Sequence, residues 1–137
     1  MPLVKGNTVV ADEFLHPADD AELPAAGAVL VPAERFLKDP EAVLARKEKI
    51  GVIWPNSRDI DGLLPYLDRL AVVALVFPVF RDGRAYSQAR LLRERHTFKG
   101  ELRATGQVLR DQFLFMLRAG FDAFEVKKEK DAQVFAD

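Results

Sequence analysis

The hydrophobic pattern of this chain switches repeatedly between short apolar runs and longer stretches with helical spacing. The clearest run is "AVVALVFP" at 71–78, unbroken and rich in β-branched valine, as expected of a strand buried on both faces. "AVLVP" (28–32), "IGVIWP" (50–55), "GELRATG" (100–106) and "FDAFEV" (121–126) read as further short strands. Between them lie helical stretches. "AERFLKDPEAVLARKEK" (33–49) reads as two pieces, because Pro40 suits a first helical turn with Asp39 as its cap. "NSRDIDGLLPYLDRL" (56–70) reads as a loop and a helix that Pro65 breaks or starts. "QVLRDQFLFMLRAG" (107–120) is amphipathic, with Val108, Leu109, Phe113, Met116 and Leu117 on the core face and Gly120 as its stop.

Strand and helix alternate about five times with short connections, which predicts an α/β domain with a mainly parallel sheet. A closed eight-unit barrel takes roughly 250 residues. The 137 residues here fit an open doubly wound sheet better, with a curved, partial-barrel-like sheet as the second architecture. Residues 1–25 read as a small hairpin around "KGN" and a polar connector, and 126–137 as a charged tail, all within a single domain.

Composition removes whole classes of chemistry. With no cysteine there is no disulfide, thiolate nucleophile or cysteine-held zinc or iron–sulfur cluster. The longest apolar run, "LAVVALVFPVF", has eleven residues and contains proline, too short to span a bilayer. The N-terminus lacks the apolar stretch of a secretion signal, so the expectation is a soluble, cytoplasmic protein without membrane contact. A net charge of −1 argues against nucleic acid as the partner. His16 and His96 show no metal-ligand spacing, so no metal site is expected. No glycine-rich dinucleotide or phosphate-loop motif identifies a cofactor. Trp54, at the end of a strand, reads as packing or rim.

The charge is unevenly spread. Residues 1–80 carry 8 basic and 12 acidic side chains, a net of −4, whereas residues 81–118 carry a net of +5. The basic segment opens with "FRDGRAYSQARLLRERH" (80–96), which holds five arginines and no lysine. Arginine offers a planar, bidentate fork for carboxylates, phosphates and other oxyanions. Ser87 reads as a helix N-cap with a Tyr86–Leu91 staple, and Ala85, Ala89 and Leu92 as the buried stripe. Arg90 and Glu94 then lie on the outer side and can pair at i, i+4. The next strand–helix junction repeats the layout, with Glu101 and Arg103 on the strand and Thr105, Arg110 and Asp111 after it. In parallel α/β sheets ligands sit where strand C-termini meet helix N-termini. The candidate anion or partner rim is therefore Asp82, Gly83, Arg84, Tyr86, Ser87, Arg90, Glu101, Arg103, Arg110 and Asp111. The competing reading, that these charges form internal salt bridges, stands beside it, because charges on a short central strand are costly if buried unpaired.

The blocks "FPVFRDGRAYSQARLLRER", "GELRATGQVLRDQ" and "GFDAFEV" together resemble the DUF934 family, with the strongest similarity over 77–125. Members of that family are commonly encoded beside the sulfite reductase hemoprotein and carry an oxidoreductase label tied to sulfite reduction. The resemblance implies a role in assimilatory sulfite or sulfate reduction and supplies no catalytic mechanism. Ala85 stands where the pattern leads one to expect glycine, and Ala119 where many relatives have cysteine, so a redox cysteine at that place is not required here. The chain ends sooner after "FEV" than the pattern leads one to expect. Two functions follow. The first is an accessory protein that docks on sulfite reductase or its electron donor. The second is a small enzyme or sensor for sulfite, sulfate or a phosphosulfate nucleotide, with Arg84, Ser87 and Arg90 holding the anion and Asp82 or Asp111 carrying a proton. The oligomeric state is not encoded in any motif.

Overall fold

A computed structural model of the chain describes residues 3–5, 8–10, 14, 27–45, 48–55, 58–77, 84–106 and 113–125. The apolar runs form β3 (Val29–Pro32), β4 (Ile50–Trp54), β5 (Val72–Phe77), β6 (Glu101–Gly106) and β7 (Ala123–Glu125). They pair in parallel, each with the next in sequence. The N-terminal hairpin, β1 (Leu3–Lys5) and β2 (Thr8–Val10), adds antiparallel to β7. One mixed α/β sheet results, in the order β2-β1-β7-β6-β5-β4-β3.

The helices are α1 (Ala33–Lys38), α2 (Pro40–Leu44), a 3-10 helix (Ile60–Arg69), α3 (Arg84–Arg90) continued by a π turn (Leu91–Arg95), and α4 (Phe113–Ala119). Their buried residues, among them Phe36, Val43, Leu63, Ala85, Ala89, Leu92 and Met116, all enter one core with Val31, Val52, Leu75, Leu102 and Phe124 of the strands. Because side chains alternate across a strand, that core occupies one face of the sheet. The strand order runs straight through, without the reversal that defines a doubly wound sheet. The first of the two expected architectures is therefore corrected in favour of the second one's winding. Crossovers of one hand between successive neighbours carry every helix to the same side.

The opposite face carries a smaller cluster of Phe14, Leu30, Val72 and Ala74. Strand register sets Glu101 in a row with Val72, and Arg103 in a row with Ala74 and Ala123. No helix among the described residues is long and apolar enough to cross a membrane.

Local chemistry explains most of the boundaries. The Asp39 carboxylate accepts the Ala42 N–H at 3.2 Å, capping α2 as its sequence predicts. Pro65 neither starts nor breaks its helix but lies inside the 3-10 segment. An α-helix would press the proline ring on the carbonyl four residues back, and i→i+3 bonding avoids that contact. Ser87 is not an N-cap: α3 already includes Arg84. Ala85 is fully buried with Ala89 and Leu92, and reaching the core at that spacing requires residue 85 to be helical. In place of the Leu91 staple, the Tyr86 ring meets Phe77 edge-on at 5.0 Å. On α4 Met116 is buried as expected, but Leu117 is 39% exposed and Ala119 takes the core position. Val108, Leu109 and the start of that predicted helix lie outside the described residues.

Gly106 ends β6 with φ +88, and a Cβ there would lie 2.5 Å from the Phe77 carbonyl oxygen. Gly106→Ala is expected to cost about 1–2 kcal/mol in chemical denaturation, from the left-handed backbone and the clash combined.

Candidate functional site

Of the ten residues assigned to the rim, Asp82, Gly83, Arg110 and Asp111 lie outside the described residues. The other six are divided between the two faces of the sheet. Arg84, Tyr86, Ser87 and Arg90 belong to α3, on the helical face. Glu101 and Arg103 alternate with the core residues Leu102 and Ala104 and so project to the other face. The structure does not gather these six at one lip.

Arg103 is 1% exposed. Its Nε donates to Glu101 Oε2 at 2.8 Å and its Nη1 to Glu125 Oε2 at 3.2 Å. Lys5 Nζ stands 2.7 Å from Glu101 Oε1, an ion pair without the alignment of a directed hydrogen bond. The Thr105 hydroxyl donates to Glu125 Oε1 at 3.4 Å. The Phe14 ring centre lies 5.6 Å from the Arg103 guanidinium. The flanking Ala74 and Ala123 leave room for the long side chain. Among the described residues, two cations thus meet two carboxylates, with Arg103 and Glu125 buried and Lys5 at the exposed edge. The salt-bridge reading describes Glu101 and Arg103. Glu125 and Lys5, the further partners among the described residues, carry no local sequence signal, since β7 must first pair beside β6 and β1 beside β7.

On α3 the outer side exposes Arg84, Ser87 and Arg90, and the π turn adds Leu91, Glu94 and Arg95. The expected Arg90–Glu94 ion pair is not formed among the described residues. Burial raises the Tyr86 pKa above its ordinary value, which keeps a neutral phenol at physiological pH.

Gln88 of α3 and Arg93 of the π turn have structural roles that the rim assignment missed. Gln88, 7% exposed, donates from Nε2 to the carbonyls of Pro55 (3.0 Å) and Arg58 (2.9 Å). Trp54 is fully buried as packing, and its Nε1 donates to the carbonyls of Arg58 (3.1 Å) and Asp59 (3.2 Å). The Gln88 bonds pin the loop after β4 onto α3, and the Trp54 bonds tie the same loop to its own strand. Arg93 Nε donates to Gly120 O at 2.9 Å, and Nη1 to Phe98 O (2.7 Å) and Gly100 O (2.8 Å). Its Nη2 also approaches Asp122 Oδ1 at 3.5 Å. Burial pushes the Asp122 pKa up, against the opposing pull of the Leu102 N–H and the Arg93 charge. Gln88 was legible in principle, since it falls within the stripe of Ala85, Ala89 and Leu92.

His96 caps the π turn, and its N–H donates to Leu91 O at 3.1 Å. No group of three or more metal-ligating side chains occurs among the described residues. The arrangement holds two kinds of arginine: internal ones that tie elements together, and outer ones on the helix layer.

No curated protein matches this chain, and no solved structure does. The family described as "Bacterial protein of unknown function (DUF934)" matches residues 51–137, a span from β4 through β7. That match covers more than half of the sequence, and the chain belongs to the DUF934 family.

Proposed function

We propose that this protein is a non-catalytic accessory of assimilatory sulfite reduction in the cytoplasm. It docks an acidic surface of sulfite reductase or of its electron donor through the outer side of α3 and the π turn. The observation that carries the docking reading is the division among the arginines. Arg93 and Arg103 are committed to internal carbonyls and carboxylates. Arg90 and Arg95 are exposed and make no ion pair among the described residues. Leu91, 37% exposed, follows Arg90 on the same segment. Arginine beside apolar surface is the composition of protein interfaces. The link to sulfite reduction rests on the resemblance of the three sequence blocks.

Surface plasmon resonance with immobilised sulfite reductase, and separately with its electron donor, tests this. One of the two is expected to bind, and the Arg90→Glu, Arg95→Glu double variant to bind at least about tenfold more weakly at low salt, with the gap narrowing as salt rises. Equal affinity of the variant, or no binding to either protein, removes the docking reading. Heat stabilisation by sulfite or sulfate that Arg84→Ala abolishes would transfer the assignment to the enzyme or sensor alternative.

A further inference from the structure

At the other end of the strands from the predicted rim, the chain forms an open cleft of about 670 Å³. Its walls are the second half of the 3-10 helix and the loop that leads from the π turn into β6. Small-molecule sites commonly enclose roughly 300–1,000 Å³, largely apolar, with a few placed polar groups. Here Leu64, Leu67 and Phe98 supply the apolar lining, while His96 and Lys99 on the loop and Asp68 on the helix stand among the polar groups.

The loop wall is held in place from behind. Arg93 Nη1 bonds the carbonyls of Phe98 and Gly100, the middle and the end of this wall. Phe98 N–H donates to Leu92 O at 2.8 Å and Glu101 N–H to Ala71 O at 2.9 Å. These bonds give a preformed surface, which lowers the ordering cost of binding. Within the wall Thr97 has φ +51, among the described residues the one non-glycine residue with positive φ. A β-branched residue is poorly suited to that region, and such strain concentrates at ligand sites. Glycine would adopt the same turn without strain, so turn geometry alone does not explain a threonine here.

We propose that this cleft binds a small organic anion with an apolar body and a hydrogen-bond donor. Leu64, Leu67 and Phe98 cover the apolar body, Lys99 and His96 meet the anionic group, and Asp68 accepts from the donor. The proposal does not rest on the docking reading, since neither Arg90 nor Arg95 lines the cleft.

The dye 8-anilinonaphthalene-1-sulfonate has this chemistry: fused apolar rings, a sulfonate and an N–H. Titration of the folded protein, followed by dye fluorescence and by amide chemical shifts, is the test. Saturable one-to-one binding is expected, with shifts confined to 64–70 and 96–100. Lys99→Glu, at an exposed position, is expected to weaken binding by about tenfold through charge reversal beside the anion. Phe115→Ser, which removes the 56% exposed phenylalanine of α4, is expected to leave affinity unchanged. The proposal is overturned if binding does not saturate, if the shifts centre on Phe115 and Leu117, or if Lys99→Glu binds as tightly as the parent.

Discussion

Replacing Arg103 with methionine is expected to lower the unfolding free energy by about 3–5 kcal/mol, the range for removing one partner of a buried charge pair. The guanidinium is 1% exposed and bonds both Glu101 and Glu125, which are 10% and 4% exposed. Without it, two largely buried carboxylates face each other, and among the described residues Lys5 pairs with Glu101 alone. Methionine fills most of the volume between Ala74 and Ala123, so the loss measured by urea denaturation reports charge more than cavity. The triple variant Glu101→Gln, Arg103→Met, Glu125→Gln separates the two contributions. It is expected to recover more than half of the loss, because it removes the buried charges together and leaves charged only the half-exposed Lys5, which is far less harmful than breaking the pairs. A cost below about 1 kcal/mol for Arg103→Met alone would mean that water reaches the carboxylates and that the cluster is not a sealed interior.

Arg93→Ala is the second large effect, at about 2–4 kcal/mol, since charged donors contribute about 1.5–3 kcal/mol each and shared bonds do not add fully. The side chain closes three carbonyls from two separate segments: Gly120 at the end of α4, and Phe98 and Gly100 before β6. Gly120 allows this approach, because its φ is +114 and a Cβ would lie 2.5 Å from Arg93 Cγ. Lysine is expected to rescue little, for one ammonium group cannot reproduce a planar fork aimed at both segments. Hydrogen exchange gives the independent readout. Arg93→Ala is expected to speed exchange at the Phe98 and Phe121 amides, which bond Leu92 O and Met116 O, while leaving β4 protected. Uniform acceleration across the sheet would show global destabilisation without a local clamp.

The internal role of Arg103 bears on what the basic middle segment is for. A net charge counted along the chain treats Arg84, Arg90, Arg93 and Arg103 alike. In three dimensions Arg103 and Arg93 are internal ties, whereas Arg90 and Arg95 are exposed and make no ion pair among the described residues. Arg-rich composition alone therefore overstates the positive surface.

Much of the secondary structure follows from near neighbours in sequence. The valine run at β5, the Asp39–Pro40 start of α2, the Ala85–Ala89–Leu92 stripe and the Gly120 stop are readable because each depends on contacts a few residues away. The same holds for Glu101 and Arg103 sharing one side of β6, as alternation requires. The side of the sheet that received the helices, and with it the separation of Arg103 from Arg90, was settled only when the five parallel strands paired in unbroken order. Likewise Glu125 lies 22 residues from Arg103, and Gly120 lies 27 from Arg93, so these partners meet only through strand register and helix packing. Periodicity determines which residues share a face; the neighbours that neutralise a charge are chosen by pairing between distant segments, which no local pattern encodes.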